Sequence, residues 1–338
     1  MNRAVVALCL VASLLTSASG CKKSPPPKEE KNNRGVVFLT GGFSSSGGEE
    51  QPTSALGFRL KKNQFYLGGF QHDARAQHVA AAFGTAVVLS GGVKRGGDGR
   101  LEAVPSTIVV DGAGGYKEVA KPITDAVQLQ AGASDDAHVY TCGGIKTDPN
   151  PEEGGAISDR CQAYSVEQNS WEELEGRLPA PVFAATAVHS DGKVYVFGGL
   201  DVESTESRQT AILNVDTGAI AAGKRLPSYL RRGVGAAPLP GSSSEIVVCG
   251  EALAETGLVE CGVYESSRDE WHDFPSPTRR YASASIQMTS CGGRLLAFVQ
   301  SGRDLPGNVL EYDPARKLWF EAAVEGQLKR YDYVALCT

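Results

Sequence analysis

Several signatures of familiar chemistry are missing from this sequence. It has no Cys-x-x-Cys, and its five histidines (His72, His78, His138, His189 and His272) show neither HxH nor HxxxH spacing. No metal site or other cofactor is therefore expected. There is no Gly-x-Ser-x-Gly elbow, no Walker loop and no calcium-binding loop, so the common hydrolase and nucleotide-binding chemistries have no local support. Lysine and arginine number 33 against 39 aspartates and glutamates, a net charge of −6 without a basic stripe, which argues against nucleic acid as a partner. Charged residues are 21% of the chain, slightly below the ordinary share, so long solvated helices are not expected. Beyond residue 15 no stretch is apolar enough to cross a bilayer as a helix. Glycine is the residue in excess, 40 of 338, which points to many tight turns.

The N-terminus reads as an export signal over residues 1–20. Arg3 supplies the positive start, and the apolar run Ala4 to Leu15 is too short to span a membrane. Ala18-Ser19-Gly20-Cys21 follows and resembles the lipobox of bacterial lipoproteins. The resemblance implies cleavage before Cys21 and acylation of its thiol; the other reading is an ordinary secretory signal with Cys21 as a passenger. Acyl chains at one terminus anchor a protein through about 0.8 kcal/mol per buried methylene. Residues 21–34 contain Pro25-Pro26-Pro27 and mixed charge, and read as a disordered or extended tether. Lys22 after the cysteine follows the outer-membrane sorting rule of some Gram-negative bacteria. The expected location is the cell envelope, lipid-anchored at the outer membrane of a Gram-negative bacterium, on the periplasmic side or exposed at the surface.

Residues 35–338 carry an internal repeat. Val36-Val37-Phe38-Leu39-Thr40-Gly41-Gly42 is followed by Ala86–Gly92, His138–Gly144 and Lys193–Gly199 in the same pattern. Glu245–Glu251 keeps one glycine, and Arg294–Gln300 keeps only the strand. The first glycines stand at 41, 91, 143, 198 and 250, so successive copies lie 50, 52, 55 and 52 residues apart. A second element tracks the first: Tyr164 precedes Trp171 by seven residues, as Tyr264 precedes Trp271, Tyr312 precedes Trp319 and Phe58 precedes Phe65. All three tryptophans of the chain occupy this slot. The pattern resembles the kelch-repeat family, whose units read as an apolar strand, Gly-Gly, a loop, Tyr, six residues and Trp. Val110-Asp111 and Val215-Asp216 stand in the tyrosine region of the second and fourth copies.

The resemblance implies an all-β, six-bladed kelch-type β-propeller, each blade a four-stranded twisted sheet that buries its faces against its neighbours. The first copy lacks a preceding inner strand while the C-terminus has a spare one. Arg330 to Cys337 matches the register of Arg280 to Ile286, so the last strand is expected to complete blade 1.

With Cys9 in the signal and Cys21 on lipid, six cysteines remain, and six permit 15 pairings. The repeat narrows these. Cys142 and Cys249 each precede a motif glycine, and Cys161 and Cys261 each lie three residues before a motif tyrosine. The register predicts Cys142–Cys161 and Cys249–Cys261, leaving Cys291 and Cys337 to lock the ring; the alternative is a metal site or reduced thiols.

The loops after the diglycine strands are long, Phe43 to Ser54 and Val93 to Val104 for example, whereas the opposite turns are short. Long loops on one rim of a rigid scaffold are where binding residues concentrate. Arg75, Arg232, Arg280 and Arg330 each lie near the start of an inner strand. Two readings stand: an arginine cluster at the channel mouth holding a small anion or sugar through bidentate hydrogen bonds, or arginines pairing with carboxylates and carbonyls between blades. Two functions are expected to compete. One is a non-catalytic, membrane-anchored scaffold that binds an envelope protein or glycan, with Phe43 or Leu305 as exposed anchors, a reading the sequence does not separate from an extracytoplasmic assembly factor. The other is a carbohydrate-active enzyme, by fold-level analogy with the six-bladed sialic acid mutarotases, using channel-mouth arginines and a carboxylate.

Overall fold

The computed structural model describes residues 36–46, 49–52, 56–66, 74–83, 86–110, 116–119, 126–146, 156–251, 257–281, 284–301, 307–325, 328 and 333–337. The chain separates into two units, Met1–Asn33 and Arg34–Thr338, and every described residue belongs to the second. The signal, the tether and Cys21 lie outside the described residues, as do Leu305 and Arg330.

The second unit is a six-bladed β-propeller. Blade 1 orders Val334–Cys337, Val36–Thr40, Leu56–Arg59 and Gln64–Tyr66 from inside to outside. Blade 2 is Val79–Phe83, Ala86–Ser90, Thr107–Val110 and Tyr116–Val119; blade 3 is Ala131–Ser134, His138–Cys142, Arg160–Ser165 and Ser170–Arg177. Blade 4 is Thr186–Ser190, Lys193–Phe197, Thr210–Asn214 and Ile220–Ala222. Blade 5 is Arg232–Pro238, Glu245–Glu251, Val259–Glu265 and Glu270–Asp273, and blade 6 is Ala284–Cys291, Arg294–Ser301, Asn308–Asp313 and Leu318–Glu321. All pairings within the blades are antiparallel. Each inner strand abuts the inner strands of both neighbouring blades, around to Val334–Cys337 again.

The second strands explain why the blades stack. Val194, Tyr195, Val196 and Phe197 are all buried, so this strand is apolar on both faces rather than alternating. One sheet cannot cover both faces, and the remainder is buried against the next blade. Six separate apolar clusters result, one between each adjacent pair of blades, including blade 6 against blade 1. That count requires a closed ring.

The diglycines bend the end of the second strand and admit the neighbouring chain. Gly143 has φ +68°, and a Cβ there would lie 2.4 Å from the Val182 carbonyl oxygen, on the segment entering blade 4. Gly144, φ +97°, faces the segment entering its own blade, with a Cβ 2.8 Å from the Gln128 carbonyl oxygen. The pair is thus a two-sided contact between consecutive blades, closed by a hydrogen bond from Gly144 N–H to Val182 O at 2.8 Å. Blades 5 and 6 differ: Glu245–Glu251, where Glu251 replaces the second glycine, and Arg294–Ser301, where both are lost, continue as strand through these positions.

The spacing of seven is a hairpin register. Tyr164, Tyr264, Tyr312 and Phe58 lie directly across from Trp171, Trp271, Trp319 and Phe65, with ring centroids 4.9–5.5 Å apart. Two indoles also bind the preceding connection, Trp271 Nε1 donating to Lys224 O at 3.0 Å and Trp319 Nε1 to Pro275 O at 2.8 Å. In blade 2 Val110 holds the tyrosine position, opposite Tyr116. In blade 4 the position belongs to Leu213, opposite Ile220, and not to Val215 as the sequence suggested. Val215 follows the strand because the turn after Asn214 is held by the Asn214 carboxamide oxygen, which accepts from Asp216 and Thr217 N–H.

Three devices close the ring. Val37, Phe38, Leu39 and Thr40 pair with Cys337, Leu336, Ala335 and Val334, so the described closing strand is Val334–Cys337. The Cys291–Cys337 disulfide joins the end of blade 6's inner strand to the end of that strand. Arg294 of blade 6 is paired with Glu311 and donates to Leu60 O at 2.8 Å and Asn63 Oδ1 at 3.1 Å in blade 1. The other expected disulfides, Cys142–Cys161 and Cys249–Cys261, also form, each joining directly opposed residues of the second and third strands.

Candidate ligand site at the channel mouth

Inner strands all run from one face of the disc to the other. At the entry face the connections between blades meet the long loops after the second strands: Ala76 pairs with Val93, Phe183 with Leu200 and Leu258 with Arg280. Among the described residues two loops are themselves hairpins, Phe43–Ser46 with Glu49–Pro52 and Val93–Arg95 with Leu101–Ala103. The loop after Gly199 is folded on Asp201, whose carboxylate accepts from Glu203 and Thr205 N–H at 2.9 and 2.8 Å. The opposite face carries short turns such as Asp191-Gly192, both left-handed.

A cavity of about 220 Å³ sits at the loop-face end of the channel. All six inner strands or their entry segments line it, through Gln77–Ala80, Leu129, Gln130, Ala184–Ala187, Gly233, Ser285–Met288 and Tyr333–Ala335 among others. Small residues predominate because six strands converge there, and the polar side chains are those of Gln77, His78, Gln130, Thr186, Ser285, Gln287 and Tyr333. His78 is buried, its Nε2 3.0 Å from Thr40 Oγ1, and wedged against Gly41 and Gly92. The Gln130 carboxamide is tied at one end to Thr141 Oγ1 at 3.4 Å, while its other end is buried without a partner. Tyr333 is buried and hydrogen-bonded to Phe298 O, and burial holds its hydroxyl well above the usual tyrosine range.

The four arginines are not equivalent. Arg75 is fully buried; its guanidinium donates to Gly91 O at 3.1 Å and Ser106 O at 3.2 Å, fastening the diglycine turn of blade 2 to its third strand. Arg280 is exposed beside Leu258. Arg232 begins the inner strand of blade 5, in register with Glu251. Glu251 escaped sequence reasoning: it replaces the second glycine of the motif and is a buried carboxylate, 4% exposed. Its signal was the broken diglycine.

Phe43 is not an exposed anchor. It is 2% exposed, packed on Ala76 and Val93, because its hairpin folds back over the connection into blade 2. The large apolar side chains exposed on the loop face, among the described residues, are Leu101 and Val202, at 47% and 71%. At the opposite end a second cavity of about 540 Å³ is lined by Ser134, Asp135, Asp136, Ala137, His189 and Cys337 with Ala82. Asp135 accepts from Ala137 and His138 N–H and from the Tyr140 hydroxyl at 2.7 Å; burial pushes its carboxyl up, but these donors outweigh it and hold it below the usual aspartate value.

Among the described residues no cluster of histidine, cysteine or acidic side chains has the form of a metal site, and no helix is long and apolar enough to cross a membrane. Fold and cavity define the class: a disulfide-bonded six-bladed β-propeller with one elaborated face. No protein-family model matches the chain, and no curated protein matches it in sequence.

Proposed function

We propose that this chain is a kelch-type propeller, exported and tethered to the cell envelope by acylated Cys21, that binds an envelope protein or glycan through its loop face. The observation that carries the proposal is the asymmetry of the disc. One face gathers hairpins, two exposed apolar tips and a channel mouth built from all six blades; the other has short turns. Leu101 and Val202 are the anchors of a partner surface, since exposed apolar side chains gain most from burial in a complex. Three disulfides favour an oxidising compartment, consistent with export.

The test is capture from envelope extract by the full-length chain in detergent, with a glycan array alongside. Leu101→Glu with Val202→Glu is expected to abolish capture while leaving the melting temperature unchanged. Capture that survives both charges would discard the loop face as the binding surface. One observation supports the carbohydrate-active reading: the buried carboxylate Glu251, in register with Arg232. Accelerated anomer exchange of a sugar that Glu251→Gln abolishes would move the assignment to an enzyme.

A further inference from the structure

We infer that the channel-mouth cavity takes one uncharged, polyhydroxylated group about the size of a sugar ring. This rests on the loop face being the binding face and names what its centre accepts.

The first observation is the edge of each inner strand. Every inner strand stands at the end of its sheet and pairs with one strand only; Ser134 Oγ to Ala82 O and Ser290 Oγ to Pro238 O tie neighbouring inner strands toward the turn face, away from the mouth. The other edge faces the channel and presents backbone N–H and C=O groups in alternation. Ala80, Ala185, Ala187, Gly233 and Ser285, all small, line the cavity along this edge, while Leu129 N–H and Ala184 N–H are already given to Gln77 O and Leu129 O of the neighbouring entry segments. A carboxylate, which only accepts, matches the N–H groups and is repelled by the carbonyls. An ammonium group, which only donates, has the reverse problem. A hydroxyl both donates and accepts, and satisfies either.

The side chains repeat this logic. Gln130, Thr186, Ser285 and Gln287 come from blades 3, 4 and 6, and each carries both a donor and an acceptor. None of the described lining residues is Asp, Glu, Lys or Arg. A charge drawn into this cavity would lose hydration without gaining a counter-charge, which costs several kcal/mol. An apolar group would strip water from the amides without replacing it. The Gln130 carboxamide, satisfied at one end only, gains a partner when it turns toward a bound hydroxyl. Size sets the remaining limit: about 220 Å³ is below the roughly 300–1,000 Å³ of sites for drug-sized ligands, so one ring enters and any chain attached to it lies along the loops.

The experiment is isothermal titration of the full-length chain in detergent with glucose, galactose and N-acetylglucosamine, against glucuronate and glucosamine as charged counterparts of the first. At least one uncharged sugar is expected to bind, with both charged counterparts at least about tenfold weaker, the effect of one mismatched hydrogen bond in a closed site. Gln287→Leu and Thr186→Val, on different blades, are each expected to weaken binding by a similar factor; if one variant does not fold, the other is read. Equal or tighter binding of glucuronate or glucosamine overturns the inference. So does the absence of binding by all three uncharged sugars at millimolar concentration, or sugar binding that a folded variant leaves unchanged. Loss of envelope capture in the Leu101 and Val202 variants, without any sugar binding, would sink this inference alone. Sugar binding with capture indifferent to those variants would sink the loop-anchor reading instead.

Discussion

Replacing Gly143 by alanine isolates the contact on which blade stacking depends. Two costs act together. At φ +68° an L-residue pays about 1–2 kcal/mol for the left-handed conformation. The added Cβ would also lie 2.4 Å from Val182 O, whereas ordinary contact begins at 3.4 Å, so one partner must retreat by 3.4 − 2.4 = 1.0 Å. The atom in the way is backbone, and it accepts the Gly144 hydrogen bond, so the retreat strains the junction of blades 3 and 4. Overpacking of this kind costs about 1–3 kcal/mol, for a total of about 2–5 kcal/mol. Gly192 is the matched control. Its φ is +67°, but no atom lies within 4 Å of its Cβ position, so Gly192→Ala carries the conformational cost alone. At about 2 °C per kcal/mol for a domain this large, Gly143→Ala is expected to lower the melting temperature by roughly 4–10 °C and Gly192→Ala by roughly 2–4 °C. Differential scanning calorimetry under non-reducing conditions measures both. Equal shifts would refute the claim that the diglycine exists for close approach and would reduce it to a turn signal.

Other expectations concern closure, pH and anchoring. Removing the ring-closing disulfide by Cys291→Ser with Cys337→Ser is expected to cost about 4 kcal/mol, against about 3 for either of the others, since its loop spans 46 residues rather than 19 or 12; denaturant titration of the three double variants gives the order. Arg294→Met should destabilise by about 2–4 kcal/mol, because Glu311 is left partly buried without its partner, and Arg294→Lys should restore little, as one ammonium cannot reach Glu311, Leu60 and Asn63 together. Tyr140→Phe should cost about 1 kcal/mol at neutral pH, discounted for the partial exposure of Asp135. Because the folded state holds Asp135 below the unfolded value of about 3.9, that contribution is complete above the unfolded value and disappears as pH falls through the folded one; a loss equally large at acid pH would exclude the carboxylate as its source. Cys21→Ala should move the chain from the membrane to the soluble fraction, and retention in the membrane would refute the lipid anchor.

The sequence by itself determined the fold class, the number of blades and all three disulfides. The reason is repetition: the diglycine strand and the Tyr–Trp pair recur at near-constant spacing, so each copy reads the others. It missed Leu213 because an aliphatic residue in a tyrosine slot carries no signal of its own, and only the hairpin register identifies it. Phe43 was misjudged for a related reason: a phenylalanine in a long loop looks exposed until Phe43–Ser46 is seen to fold over Ala76. The mouth was legible only as a position. Which groups enter it depends on the direction of each inner strand's free edge and on which side chains six converging blades leave room for. Arg75 stands in the expected place, yet its guanidinium turns to Gly91 and Ser106, while Gln130, Thr186 and Gln287, far apart in the chain, meet around one axis. Ring closure brings them together, and no local pattern encodes a contact of that range.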